Sequence, residues 1–261
     1  MSLDHSANFV KCQNVTHDAF LGGRLCITQP KKGFRAGIDS VLLGASVSAD
    51  SEKILDIGAG VGTAGLVGYL LSRAAQTLLV EAQPEMVALA KRNIAQNGLE
   101  EHCAAICCNI GEGGPVRFAA GIVPDHFSSV IANPPFFEAN SGTLAPVVAR
   151  ADARHRGVLS LDDWVRVACS AVAPKGEILF INRIEHLGEL LDAFQKRLGD
   201  IAVLPLASRV GQAPTRFLIR GIKGSKAPTR LLYPFVVHGE TGNDYTPELA
   251  DVLRGKGRMV W

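Results

Sequence analysis

The chain has 261 residues, 47% of them hydrophobic and 20% charged, with a formal net charge of +2. That is enough apolar sequence for one sizeable α/β domain, and the near-neutral balance excludes a globally basic nucleic-acid coat, so any nucleic-acid surface has to be a local patch. No apolar run reaches the roughly 20 residues of a membrane helix, and residues 1–11 lack an apolar signal core.

Residues 1–50 are mixed: a turn at Gly22-Gly23, a loop over residues 29–33, and a short helix from Val41 that Asp39 or Ser40 caps. From Glu52 the pattern changes to alternating strands (53–57, 78–81, 104–108, 129–132, 177–182) and helices (63–73, 84–97, 161–173, 187–198). Pro84 sits in the first turn of its helix, Gly98 stops it, and Ser160 opens the helix that follows the fourth strand. Strands 201–206 and 216–222 then follow each other without a helix, so one of them is expected antiparallel at the sheet edge. Residues 231–237 read as a further edge strand or a dimer contact, and residues 247–253 as a short helix. The fold class is α/β: a Rossmann-like, doubly wound, mostly parallel seven-stranded sheet. Residues 1–50 are read as a segment capping the pocket of a domain spanning 51–261.

The six cysteines are Cys12, Cys26, Cys103, Cys107, Cys108 and Cys169. Their spacing forms no metal site or disulfide framework. Cys103, Cys107 and Cys108 are expected in the core as small hydrophobes. A cytoplasmic protein without a metal or a membrane partner is the expectation.

The first chemical signal is Ile54-Leu55-Asp56-Ile57-Gly58-Ala59-Gly60-Val61-Gly62, an apolar strand running into a glycine turn and a helix. Gly58, Gly60 and Gly62 let the backbone approach a ligand closely, and the helix start offers free N–H groups. Dinucleotide sites share such a turn. Asp56 puts a carboxylate at the strand end, where the amine of a methionine moiety is a fitting cation. Glu81, ending the second strand, can take both hydroxyls of a ribose. The third strand ends at Asn109, whose carbonyl oxygen is placed for an adenine amine.

The second signal is Asn133-Pro134-Pro135-Phe136-Phe137 after the fourth strand. A planar NH2 nitrogen is a poor nucleophile because its lone pair is delocalised. The Asn133 side-chain oxygen and the Pro134 carbonyl can each accept one of its N–H groups and aim it at a methyl sulfonium. Pro134 and Pro135 fix the backbone of that turn. Phe136 offers a face for stacking on a base, and Phe137 either assists or packs in the core.

Together these two motifs resemble the S-adenosyl-L-methionine-dependent amino-methyltransferases of adenine, guanine or glutamine side-chain nitrogens. Two further segments narrow the resemblance: Phe34-Arg35-Ala36-Gly37-Ile38-Asp39-Ser40-Val41-Leu42-Leu43-Gly44-Ala45, and Ala151-Asp152-Ala153-Arg154-His155 with Leu159-Ser160-Leu161-Asp162-Asp163-Trp164. They are similar to the bacterial tRNA(Val) adenine N6-methyltransferase family, whose members methylate the adenine beside the anticodon. The family's turn is usually Asn-Pro-Pro-Tyr, so Phe136 keeps the stacking face and loses a hydroxyl. The resemblance implies that Gly37 and Asp39 line the cofactor side of the pocket and that Arg154 and His155 lie at the substrate mouth.

Three basic groups are candidates for a phosphate-binding rim: Arg209, Arg216, Arg220, Lys223, Lys226 and Arg230; Arg150, Arg154 and Arg156; and Lys31, Lys32 and Arg35. A tRNA substrate is the expectation. The alternatives are a protein glutamine N5-methyltransferase of the release-factor type, against which the lack of an N-terminal helical pattern counts, a small-molecule methyltransferase, and a binding module that has lost catalysis.

Overall fold

The computed structural model describes residues 14–33, 35–135, 159–239 and 241–261. The strands are β1 (Val15–Phe20), β2 (Leu25–Pro30), β3 (Lys53–Ile57), β4 (Gln76–Glu81), β5 (Cys103–Cys107), β6 (Phe127–Ala132), β7 (Val172–Arg183), β8 (Leu198–Ala207), β9 (Arg216–Lys223), β10 (Arg230–Leu231) and β11 (Phe235–Val236). The helices are α1 (Ile38–Ala45), α2 (Thr63–Leu71), α3 (Pro84–Gln96), α4 (Gly114–Ala119), α5 (Leu161–Ala171), α6 (Leu187–Gln195) and α7 (Pro247–Leu253).

Alternation along the central strands sets the core, because successive side chains of a strand point to opposite faces. Ile54, Ile131, Leu179 and Ile181 enter one apolar cluster, shared with α1, α2, α3 and α7. Leu55, Ile57, Val130, Ala132, Ile178 and Phe180 enter the other, shared with α5 and α6. A sheet apolar on both faces needs helices on both. The expected doubly wound architecture follows.

The long strands run in the order β5-β4-β3-β6-β7-β9-β8, with β10 and β11 pairing beyond β8. All neighbouring pairs are parallel except those of β9, which is antiparallel to both β7 and β8. The antiparallel strand expected at the edge is thus one position inside it among the long strands. Residues 231–237 supply the outer edge as two short strands. Between them Tyr233-Pro234 breaks the pairing, as proline has no N–H to give.

The chain winds from β3 outward to β5, then returns to the other side of β3 with β6. The strand ends of β3 and β6 therefore flank the switch point where open α/β sheets bind ligands. Helix starts fall where expected: Pro84 opens α3, and Ser160 opens α5 through a reciprocal capping box with Asp163. Gly98 (φ 67) ends α3. Helix α1 starts at Ile38, earlier than expected. Gly37 is its N-cap, without a side-chain cap, so neither Asp39 nor Ser40 caps it. Cys103 and Cys108 are buried as expected, whereas Cys107 is exposed.

The β1–β2 hairpin has no counterpart in the sequence reading. It forms a separate sheet held by amide side chains of α3. Asn93, fully buried, accepts from the Thr28 N–H at 2.8 Å and donates to the Thr28 carbonyl at 3.1 Å. Its amide also donates to the Val61 carbonyl in the glycine loop at 2.9 Å. Gln96 and Asn97 both donate to the Cys26 carbonyl, and Asn97 accepts from the Cys26 N–H.

Replacing Asn93 leaves the Thr28 N–H and the Val61 carbonyl buried without a partner. Asn93→Ala is expected to lower the unfolding free energy by about 3 kcal/mol, measured by urea denaturation.

Candidate functional site

Asp56 lies on the α1/α2 face of β3 and is 2% exposed. A buried carboxylate has to be hydrogen-bonded. Here the Gly65 N–H, in the first turn of α2, donates to it at 2.8 Å. A Cβ on Gly65 would sit 2.3 Å from Leu79 and 3.1 Å from the Asp56 carboxylate, so only glycine fits there. Burial pushes the Asp56 carboxyl up to about 7, against the lowering effect of the Gly65 bond and with a small addition from the charge of Glu81.

The glycine loop is pinned to the end of β4. The Gly58 and Ala59 N–H groups donate to the Val80 carbonyl at 2.8 and 3.0 Å. Gly58 has φ 71, and a Cβ there would meet the Trp164 ring at 2.6 Å. Trp164 of α5 therefore underlies the loop, a contact that sequence spacing alone does not disclose. Gly60 (φ 56) has open space around its Cβ position, and Gly62 (φ 90) caps α2. Glu81 faces the same loop. One carboxylate oxygen accepts the Gly60 N–H at 2.9 Å, and the other accepts the Ala82 and Gln83 N–H groups at 2.8 and 2.9 Å.

Asn133 follows β6, immediately beside β3. It lines one pocket with Asp56, Gly58, Ala36, Ser40 and Thr63. Pro134 is buried and Pro135 exposed. The pocket joins three sequence candidates, Asp56, Gly58 and Asn133, with residues the sequence reading did not select as site residues, among them Ala36, Ser40 and Thr63. Ala36 and Ser40 come from the segment within residues 1–50, and Thr63 follows the last glycine. The Thr63 hydroxyl is buried and has no partner among the described residues. The continuation of the glycine run into Thr63 was the signal available for it.

The other candidates fall elsewhere. Asn109 is exposed at the end of β5, and its side-chain carbonyl accepts the Gly111 N–H at 2.9 Å. Gly37 is exposed at the start of α1. Asp39 is turned to β9, where Arg216 reaches its carboxylate at 2.7 Å. Phe136, Phe137, Arg154 and His155 lie outside the described residues, as do Arg150 and Arg156.

The longest basic run does not converge. Along antiparallel β9, Arg216 stands at the end of the sheet that carries the pocket and Lys223 ~24 Å away at the other. Acids from elsewhere in the chain meet these cations: Arg216 pairs with Asp39, Arg230 with Asp200 and Lys223 with Asp125. Arg209 donates to the Gly239 carbonyl at 2.7 Å and also to the Gly242 carbonyl. Arg220 lies over the Trp261 ring. Lys226, Lys31 and Lys32 are exposed, and Arg35 pairs with Asp18 at 2.9 Å.

Residues 36–156 match the methyltransferase small domain family. A tRNA1(Val) (adenine(37)-N6)-methyltransferase from Shewanella halifaxensis is 30% identical over 191 residues, covering 72% of this chain and 74% of that protein. The enzyme of the same name from Trichodesmium erythraeum is 26% identical, covering 77% of this chain and 82% of its own length. Among solved structures, a predicted O-methyltransferase from Agrobacterium tumefaciens superposes with a TM-score of 0.70 at 26% identity, covering 85% of this chain and 98% of that one.

The raised Asp56 pKa carries a stability cost with a definite sign. The folded carboxyl titrates near 7 and the unfolded one near 3.8, so the folded state holds the proton more tightly in between. Stability from this group falls as pH rises through that window, and its cost is complete above it. In ligand-free thermal melts, Asp56→Asn is expected to melt above the wild type at pH 8, with the gap closing towards pH 5.

Proposed function

Because the chain belongs to the tRNA1(Val) (adenine(37)-N6)-methyltransferase family, we propose that it methylates N6 of an adenine beside the anticodon of a tRNA in the cytoplasm. The enzyme is an S-adenosyl-L-methionine-dependent methyltransferase. The observation that carries the finer reading is that Asn133, opening the Asn-Pro-Pro turn, lines the same pocket as Asp56.

The residues present suit the cofactor. Asp56 is the anion for an ammonium, and the Thr63 hydroxyl in the same pocket, without a partner among the described residues, is available to a carboxylate or an amine. Binding a cation also relieves the cost of ionising Asp56. In the proposed complex, Glu81 takes the ribose hydroxyls with its carboxylate already oriented by three backbone N–H groups. Gly58, Gly60 and Gly62 give the loop its close approach, and Asn109 accepts from the adenine amine of the cofactor. Gly37, at the start of α1, and Asp39 belong to the wall that residues 1–50 contribute. S-adenosyl-L-methionine, when bound, supplies a methyl carbon made electrophilic by its sulfonium.

On the acceptor side, Asn133 and the Pro134 carbonyl each accept one N–H of the adenine amine. Pro134 and Pro135 hold that pair of acceptors rigid, so the amine is oriented before it reacts. The amine proton becomes acidic only as the new bond forms, so the turn itself needs no strong base. By the family resemblance, base stacking is assigned to Phe136 and substrate contact to Phe137, Arg154 and His155. The name of the Agrobacterium relative refers to oxygen chemistry. A hydroxyl has a single proton, and it needs a base to remove it. Two fixed acceptors side by side match an NH2 group instead.

Incubating the protein with methyl-labelled S-adenosyl-L-methionine and unmodified total tRNA, followed by nucleoside analysis, tests the reading. Labelled N6-methyladenosine is expected, and Asn133→Ala is expected to lower its rate by at least about 100-fold. Label recovered in protein would put the glutamine alternative first.

A further inference from the structure

We propose that Arg216 is a positioning residue. Through its ion pair with Asp39 it holds the first turn of α1 as a wall of the pocket that Asn133 also lines.

Four observations carry this. First, the Arg216 guanidinium lies 2.7 Å from the Asp39 carboxylate, and the Asp39 side chain is only 18% exposed. Second, Asp39 is absent from the pocket lining, whereas Ala36 and Ser40 on either side of it line the pocket with Asp56 and Asn133. On a helix, neighbouring side chains diverge, so the turn that presents Ser40 inward presents Asp39 towards β9.

Third, α1 has no side-chain cap, since its N-cap is Gly37. The turn is fastened from outside instead. On its N-terminal side the Ala36 N–H donates to the buried Gln29 amide oxygen at 2.8 Å, and Gln29 in turn donates to Asp18 at 2.7 Å. Arg216 is the fastening on the far side. Fourth, Arg216 shares its sheet face with Leu218, which joins the α1 cluster, while Phe217 and Ile219 join the opposite one. The strand alternation therefore aims Arg216 at α1. Asp39 then acts as a strut for the wall, and the donor is touched by its neighbours.

The discriminating measurement is calorimetric binding of S-adenosylhomocysteine to the wild type, Arg216→Gln, Asp39→Asn, the double variant and Arg216→Lys, with a thermal melt of each. The ion pair predicts that Arg216→Gln and Asp39→Asn each weaken binding about fivefold. The double variant is then no weaker than either single one. Arg216→Lys, which keeps the charge, retains most of the affinity, and the melting temperatures stay close to the wild type. Loss with Asp39→Asn alone would overturn the proposal, because Asp39 would then contact the donor itself. Additive losses, unchanged binding in Arg216→Gln, or a loss of affinity that merely tracks a fall in melting temperature would overturn it as well. No acceptor enters the measurement, so failure of tRNA methylation would remove the adenine reading and leave this one standing.

Discussion

The arrangement depends on one buried carboxylate. Asp56 can stay at the end of β3 only because the first turn of α2 turns a backbone N–H onto it, and that approach is open only to a glycine at position 65. The same turn has to leave the strand sharply, which places left-handed backbone at Gly58, Gly60 and Gly62. Trp164 fills the space beneath the first of these, so a helix from the far face of the sheet helps shape a loop on its edge. A single polar requirement thereby fixes a strand end, a loop, a helix start and an aromatic floor.

The second requirement is adjacency. Asp56 and Asn133 are far apart in the chain but end neighbouring parallel strands. Doubly wound order brings those two ends together at the point where the chain reverses its direction of winding. Cofactor chemistry and acceptor chemistry then share one pocket without any long excursion of the backbone. Ala36 and Ser40, from the segment after the hairpin, complete the pocket lining, and Asn93 ties the hairpin to the glycine loop by bonding both β2 and Val61.

Much of this was legible in the sequence because it is local. A strand meeting a glycine turn, a proline at a helix start and a serine followed by an acid three residues later each leave a mark within ten residues. Two elements left none. The β1–β2 hairpin buries only Leu25 and Ile27 of β2 in the apolar core, and next to them Thr28 and Gln29 are buried on polar partners, Thr28 on the amides of α3 and Gln29 on Asp18, so the apolar alternation is too short to mark a strand. Helix α4 buries none of its residues. Long-range pairings were equally silent. The place of β9 between β7 and β8 is set by sheet order, and the run of cations in and around β9 looked unopposed because its acids lie on other elements.

The position of β9 also bears on how the chain reaches its native state during synthesis. Strand β8 is made first, yet it joins the main sheet only through β9. Until residues 216–223 have left the ribosome, β7 has an open edge and β8 has no place in the sheet. An exposed apolar strand is a template for pairing with other chains. The interval between the synthesis of β7 and the emergence of β9 thus leaves a strand edge exposed, and the sheet closes by insertion of a strand rather than by addition at its rim.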